Sequence, residues 1–306
     1  MTELRRHPFV GEWVILCPES VRLLNQGVGD GCRYCSSNEL DSGGDGRSPD
    51  DEADGKGTWV PRVVTASPPL FNIDLEIEKR PAGICDTMKP AGIHEIVIDS
   101  PHHDVPFEDL PDEVIYNLLD RLRCRLDELR NDERLRHTLI FKVQGKVAKN
   151  RSHPCWQIVG APFIPTAIKQ ELKNARYYYS YKERCVLCDY LKEETAAGQR
   201  LVFVNDAIAA IAPFASRFPY EVWLLPKRHC ADFSQAQVDE IEALGSGLKT
   251  ILKAISSLDG IHGYIVSIHS APYRRGSKDA WKTLEVDYHW HVEARPEIDP
   301  LNGLGA

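Results

Sequence analysis

The sequence predicts an α+β protein built from two tandem halves, each an antiparallel sheet with one long packed helix. Three observations predict it. Two C-x-x-C pairs, Cys32/Cys35 and Cys185/Cys188, stand at matching places in the two halves. Each is followed by a β-rich run that turns near a proline and reaches a histidine, IHEIVIDSPHHDVPF in the first half and YEVWLLPKRHCADF in the second. Each half then closes on a short His-x-(Cys/His) stretch, SHPCWQ at 152–157 and YHWHVE at 288–293. A repeat in order, type and spacing decides the architecture before any single element does.

The elements follow in chain order. Residues 37–57 are rich in Gly, Ser and Asp with almost nothing to bury, so they read as a loop. In the middle runs, Glu95 lies eight residues before His103 and Phe107 four after it, and Glu221, His229 and Phe233 repeat that spacing. Pro101 and Pro226 end the β-rich part. Helical spacing of apolar residues then marks FEDLPDEVIYNLLDRLRCRLDEL and FSQAQVDEIEALGSGLKTILKAI. The last strands place residues i and i+2 on one face, so His153 with Cys155, and His289 with His291, can point into one pocket. The boundary falls near 172–182, where a Tyr- and Lys-rich stretch is open to a linker or a helical reading. We therefore expect a first domain at 1–175 and a second at 176–306.

Composition narrows the function. A chain of 306 residues forms its core without disulfides. Its net charge of −8 offers no field for nucleic acid or an anionic membrane, although a local basic pocket can still take phosphates. No run of about 18 apolar residues appears, and the opening MTELRRHPFVGEW lacks the apolar core of a secretory signal. The expectation is a soluble cytoplasmic protein. In that setting a C-x-x-C pair points to metal or redox chemistry rather than a structural disulfide.

Zinc takes four tetrahedral Cys and His ligands, and a C-x-x-C knuckle supplies two of them. Each half offers such a pair and two later histidines: Cys32, Cys35, His103 and His153, then Cys185, Cys188, His229 and His289. The plainer alternative is incidental thiols beside ordinary strand-end histidines. Redox pairs are disfavoured, because neither C-x-x-C opens a helix after a strand.

The opening RRHPFVGEWVILCPE, followed by CRYC, SPHHD, HPCWQ, CVLC, LLPKRH and YHWHVEARP, resembles the galactose-1-phosphate uridylyltransferases and ADP-glucose phosphorylases over nearly the whole chain. That resemblance implies two histidine-triad-like domains, transfer of a nucleoside monophosphate through a nucleotidyl-histidine, and commonly a homodimer. It implies one zinc on Cys32, Cys35, His103 and His153. By analogy with the phosphorylase branch a second lies on Cys185, Cys188, His229 and His289, giving two zinc ions per chain. Uridylyltransferases use a different second set, onto which Glu171, His269, His289 and His291 fall. The cysteine set is preferred, because CVLC is present and thiolates hold zinc more firmly than a lone carboxylate.

The departures from that pattern decide the chemistry. Where the family has His-x-His-x-Gln with a nucleophilic second histidine, this chain has Cys155, with Gln157 kept. The family's Phe-x-Asn-x-Gly and its small phosphate loop are here FKVQGKVAKNRS, with Val143 at the asparagine and Lys146, Lys149, Asn150 and Arg151 in the loop. One reading is an enzyme acting on a nucleotide or sugar phosphate, with those loop residues as a cationic clamp, Gln157 positioning an oxygen, and Cys155 in the nucleophile's place. Zinc on His153 and the nearby lysines would favour the thiolate. The alternatives are an enzyme of a specialised biosynthetic pathway with other chemistry, and an inactive zinc-stabilised nucleotide-binding protein. His291 is expected not to be a nucleophile, since no lysine-rich loop precedes it and its motif continues without a glutamine.

Overall fold

The computed structural model describes residues 2–17, 60–102, 105–145, 153–261, 263–275 and 282–297. In chain order the strands and helices are β1 (Glu3–Arg6), β2 (Trp13–Leu16), β3 (Arg62–Thr65), β4 (Lys79–Ala82), β5 (Cys85–Met88), β6 (Ile93–Ile98), α1 (Asp112–Leu129), β7 (His137–Gln144), β8 (Cys155–Ala161), α2 (Thr166–Lys182), α3 (Val186–Ala197), β9 (Leu201–Val204), β10 (Ile208–Ile211), β11 (Val222–Pro226), α4 (Val238–Ser256), β12 (Tyr264–His269), α5 (Leu284–Asp287) and β13 (His291–Pro296).

Nine strands form one antiparallel sheet in the order β3-β6-β8-β7-β12-β13-β11-β10-β9. The two halves join in the middle of this sheet, where β7 pairs with β12 from Tyr264↔Gln144 to Ile268↔Ile140. From that seam outward the order repeats: β7, β8, β6 and β3 on one side match β12, β13, β11 and β10 on the other. A second sheet of four strands, β2-β1-β5-β4, packs Leu4 and Met88 with Val159 and Ala161 of β8. Residues 172–182 prove to be helical, the latter part of α2.

The long helices form where the pattern places them. Helix α1 follows Pro111, carries Asp112 and Glu113 in its first turn, and buries Val114, Ile115, Leu118, Leu119, Leu122, Leu126 and Leu129. The acidic first turn complements the positive end of the helix dipole. Helix α4 starts from a capping box in which the Gln237 and Glu240 side chains satisfy each other's backbone N–H groups. Gly245 of α4 lies against Ile115 of α1, where a Cβ would come within 2.9 Å of the isoleucine, so the two helices pack closely. Their apolar stripes cover one face of the large sheet and share a core with Trp156, Ile158, Val266, Trp290 and Val292. The opposite face carries the alternate residues Cys155, Gln157, His269, His291 and Glu293.

One expectation needs correction. Sequence spacing paired Glu95 with Glu221, but the register aligns them differently. Cys155 opens β8 opposite Ile98, with Glu95 opposite Ile158, while Val222 lies opposite Ala294 in β13. Counting from Cys155 and His291, Glu95 therefore matches Val222, and His94 matches Glu221. Glu95 faces the helices and binds Arg125 of α1 at 2.7 Å, whereas Glu221 faces the other side. The connection from β6 to Phe107 is one residue longer in the first half, which conceals the shift.

Candidate functional site

Cys155 and His291 are the first residues of β8 and β13, and His153 and His289 sit two residues before them. Both histidines are anchored alike. The His153 Nε2 lies 2.7 Å from the Ser100 carbonyl oxygen, and the His289 Nε2 lies 3.1 Å from that of Pro226. A carbonyl only accepts, so the proton sits on Nε2 and each Nδ1 keeps its lone pair.

In the second half this lone pair faces the C-x-x-C pair. The His289 Nδ1 is 3.4 Å from the Cys188 sulfur and 3.9 Å from that of Cys185, and the His229 Nδ1 is 3.3 Å from Cys188. His229 donates from Nε2 to the Glu285 carbonyl at 3.0 Å, the same device again. A hydrogen bond from Cys188, working against burial and joined by the two histidines, holds the Cys185 thiol well below its ordinary range. Two sulfurs and two imidazole lone pairs, each ring oriented from behind by a carbonyl, fit a tetrahedral zinc. Cys185 does open a helix, α3, but after helix α2 rather than after a strand.

A second group also lies within reach of one ion: Glu171, His269, His291 and Glu293. The His269 ring binds Glu171 through Nδ1 at 3.0 Å and stacks on His291 with centroids 4.7 Å apart. Burial raises Glu171, but its bonds to His269 and the charge of His291 hold it down at about 2. Burial also lowers His269, which Glu171 outweighs, so that ring ends above its usual value. The two sets weighed from sequence are thus separate groups. His289 belongs to the cysteines, and Glu293 takes its place beside Glu171. The His291 Nδ1 lies 3.0 Å from the His289 carbonyl, and the residue is 5% exposed.

In the first half, Cys155 and Gln157 are half-buried on the open face of β8, and Cys155 forms no disulfide. The register of β7 with β8, which reaches Lys142↔Trp156, next sets Val143 beside Cys155; His269 holds the matching place opposite His291. Cys32, Cys35, His103, Lys146, Lys149, Asn150 and Arg151 lie outside the described residues. Sequence reasoning missed Glu293, His94 and Lys142. Strand periodicity held a signal for the last, because Phe141 and Val143 face the open side and Lys142 must face the helices.

Residues 171–297 match the family described as Galactose-1-phosphate uridyl transferase, C-terminal domain. ADP-glucose phosphorylase of Arabidopsis thaliana is 25% identical across 99% of this chain and 86% of its own length. Galactose-1-phosphate uridylyltransferase of Thermotoga maritima is 25% identical across 97% and 87%. A solved structure of uridylyltransferase superposes with a TM-score of 0.79 at 25% identity, covering 99% of this chain and 89% of its own. The ADP-glucose phosphorylase from Arabidopsis thaliana with bound ADP-glucose gives 0.73 at 23%, covering 99% and 92%. The fold is therefore the α+β, antiparallel fold of the uridylyltransferase structures. Along nearly its whole length the chain is thus similar to a galactose-1-phosphate uridylyltransferase and an ADP-glucose phosphorylase, and its second half matches the uridyl transferase C-terminal domain.

Proposed function

We propose that the protein is a nucleotidyltransferase-like enzyme acting on a nucleotide or sugar phosphate at the first-half pocket headed by Cys155. The observation that carries the reading is the matched position of Cys155-x-Gln157 and His291-x-Glu293 at the heads of equivalent strands, in a chain whose relatives along nearly its whole length are an ADP-glucose phosphorylase and a galactose-1-phosphate uridylyltransferase. Gln157 faces the same side as Cys155 and offers an amide to a phosphoryl oxygen. Lys146, Lys149, Asn150 and Arg151 precede Cys155 in the sequence and are assigned the cationic and polar contacts to phosphate.

Two routes are compatible with Cys155. In one, its thiolate attacks the phosphorus of the donor, a P–S bond forms, and the P–O bond to the leaving phosphate breaks with its electron pair; an acceptor oxygen then reverses the step. In the other, donor and acceptor react directly while Cys155 fills the histidine's space. The Cys155 and Val143 replacements favour a second function as well, nucleotide binding without turnover.

Zinc is assigned to Cys185, Cys188, His229 and His289, with a second ion on Cys32, Cys35, His103 and His153, and the chain is read as a homodimer with no nucleic-acid or membrane partner. Among the described residues no helix is long and apolar enough to cross a membrane. The test is a thermal-shift screen of nucleotides and sugar nucleotides on metal-replete protein. A ligand at about 100 times its Kd adds about 2.7 kcal/mol of stability. No shift with any of them would contradict the proposal.

A further inference from the structure

Gln157 is held from behind by a short chain of hydrogen bonds whose direction is fixed by chemistry. The backbone N–H of Leu70 donates to the His94 Nδ1 at 3.0 Å. A backbone N–H only donates, so Nδ1 carries the lone pair and the proton of the neutral ring sits on Nε2. That nitrogen lies 3.2 Å from the Gln157 Oε1. The carboxamide must therefore turn its oxygen to His94 and its NH2 group away, toward the open face that Cys155 shares. Among the described residues the amide nitrogen makes no hydrogen bond.

The surroundings keep this arrangement in one state. His94 is 8% exposed, and burial, only partly offset by Gln157 and Glu95, holds its pKa below the ordinary value. The ring stays neutral in one tautomer through the physiological range. The second half gives the contrast. There Glu293 replaces Gln157 and Glu221 replaces His94, and Arg217 binds both carboxylates. Glu293 in turn approaches His269 at 3.5 Å and His291 at 3.9 Å. One position in the repeat thus turns an acceptor to the open face in the second half and a donor to it in the first.

We propose that His94 is a positioning residue which, held by Leu70, fixes the Gln157 carboxamide so that its N–H groups face a phosphoryl oxygen of the substrate bound at Cys155. This rests on the function proposed above for that pocket. A pre-oriented amide meets the oxygen without losing rotational freedom, whereas an unheld one presents its own oxygen to the phosphate about half the time and repels it.

The experiment has two arms. Two-bond proton–nitrogen NMR of the ligand-free wild type, with His94→Gln used for assignment, reads the tautomer directly. The expected result is His94 protonated on Nε2 alone from pH 7 to 8; an Nδ1–H tautomer or an averaged signal overturns the proposal. The second arm is a double-mutant cycle on kcat and KM. His94→Leu should lower kcat/KM about tenfold when Gln157 is present and less than twofold in Gln157→Met, and His94→Gln should recover part of the loss. Equal losses in both backgrounds overturn the proposal. A wild type with neither nucleotide binding nor turnover removes the functional reading instead, and the tautomer measurement then still decides the geometry at His94.

Discussion

Lys142 and Asp99 form an ion pair at 2.5 Å with both side chains wholly inaccessible to solvent, on the helix side of the sheet and directly behind Cys155. The same ammonium lies 3.5 Å from the Cys155 carbonyl, and the Asp99 N–H donates to the Pro154 carbonyl at 3.1 Å. Burial pushes the Asp99 carboxyl up, against the pull of Lys142. The pair therefore ties the His153–Cys155 turn to the ends of β6 and β7. Breaking a buried pair leaves one uncompensated charge. Lys142→Met should cost about 3–5 kcal/mol, and adding Asp99→Leu should return most of it. Denaturant midpoints at unchanged slope would measure both; a Lys142→Met protein as stable as wild type would contradict the reading.

Metal content tests the paired knuckles. Native protein should hold close to two zinc ions per chain, and Cys185→Ser and Cys32→Ser should each lower the count by about one and reduce soluble yield. Elemental analysis of protein never exposed to chelator decides it, and a content near zero contradicts the assignment.

Acid stability should report His137. Its ring is 1% exposed, and neither nitrogen has a hydrogen-bond partner among the described residues. Burial, helped by the charge of His269, takes its pKa from 6.5 down to about 4. The unfolded chain then binds the proton first, so this contribution is fully present above about pH 6.5 and is lost as pH falls toward 4. The slope is about 1.4 kcal/mol per pH unit, on the order of 3 kcal/mol in all. His137→Leu should flatten that part of the curve in urea melts without lowering stability at pH 7. A variant that keeps the full slope would show that other groups carry it.

Much of the fold was legible from sequence because it rests on repetition. Among the described residues the order of strand, long helix and His-x-(Cys/His) repeats in both halves, and the stripe of Leu118, Leu122, Leu126 and Leu129 needed only helical spacing. What remained illegible depends on register. A one-residue difference before Phe107 put Glu95 opposite the wrong partner, since a shift of one moves a strand residue to the other face. Glu293 was equally hidden. Its role comes from Glu171, which α2 brings to His269 and Tyr288, and no spacing along the chain records that contact.

His291 should prove to be structural. It is buried, tied to the His289 carbonyl and stacked on His269. His291→Ala should cost stability but form the same products as wild type. If intact-mass spectra after incubation with nucleotide donors showed an adduct mapping to His291, the active half would have been misassigned.

Cys155 carries the most specific chemical expectation. Cys155→Ser should be at least about ten times slower, because the alcohol is a far weaker nucleophile than a thiolate at neutral pH. Cys155→His should not restore relative-like activity while Val143 and the basic loop remain. A nucleotidyl adduct on the Cys155 peptide would establish the covalent route. Full activity in Cys155→Ala with no adduct on wild type would eliminate it.

The most direct measurement is phosphorus NMR of product formation from nucleoside diphosphate sugars with phosphate or a sugar phosphate as acceptor, run on wild type, Cys155→Ser and His291→Ala. The account predicts transfer in wild type, a loss of about tenfold or more in Cys155→Ser, and the same products from folded His291→Ala. Transfer that persists in Cys155→Ser and vanishes in His291→Ala, or no transfer from any donor, would contradict it.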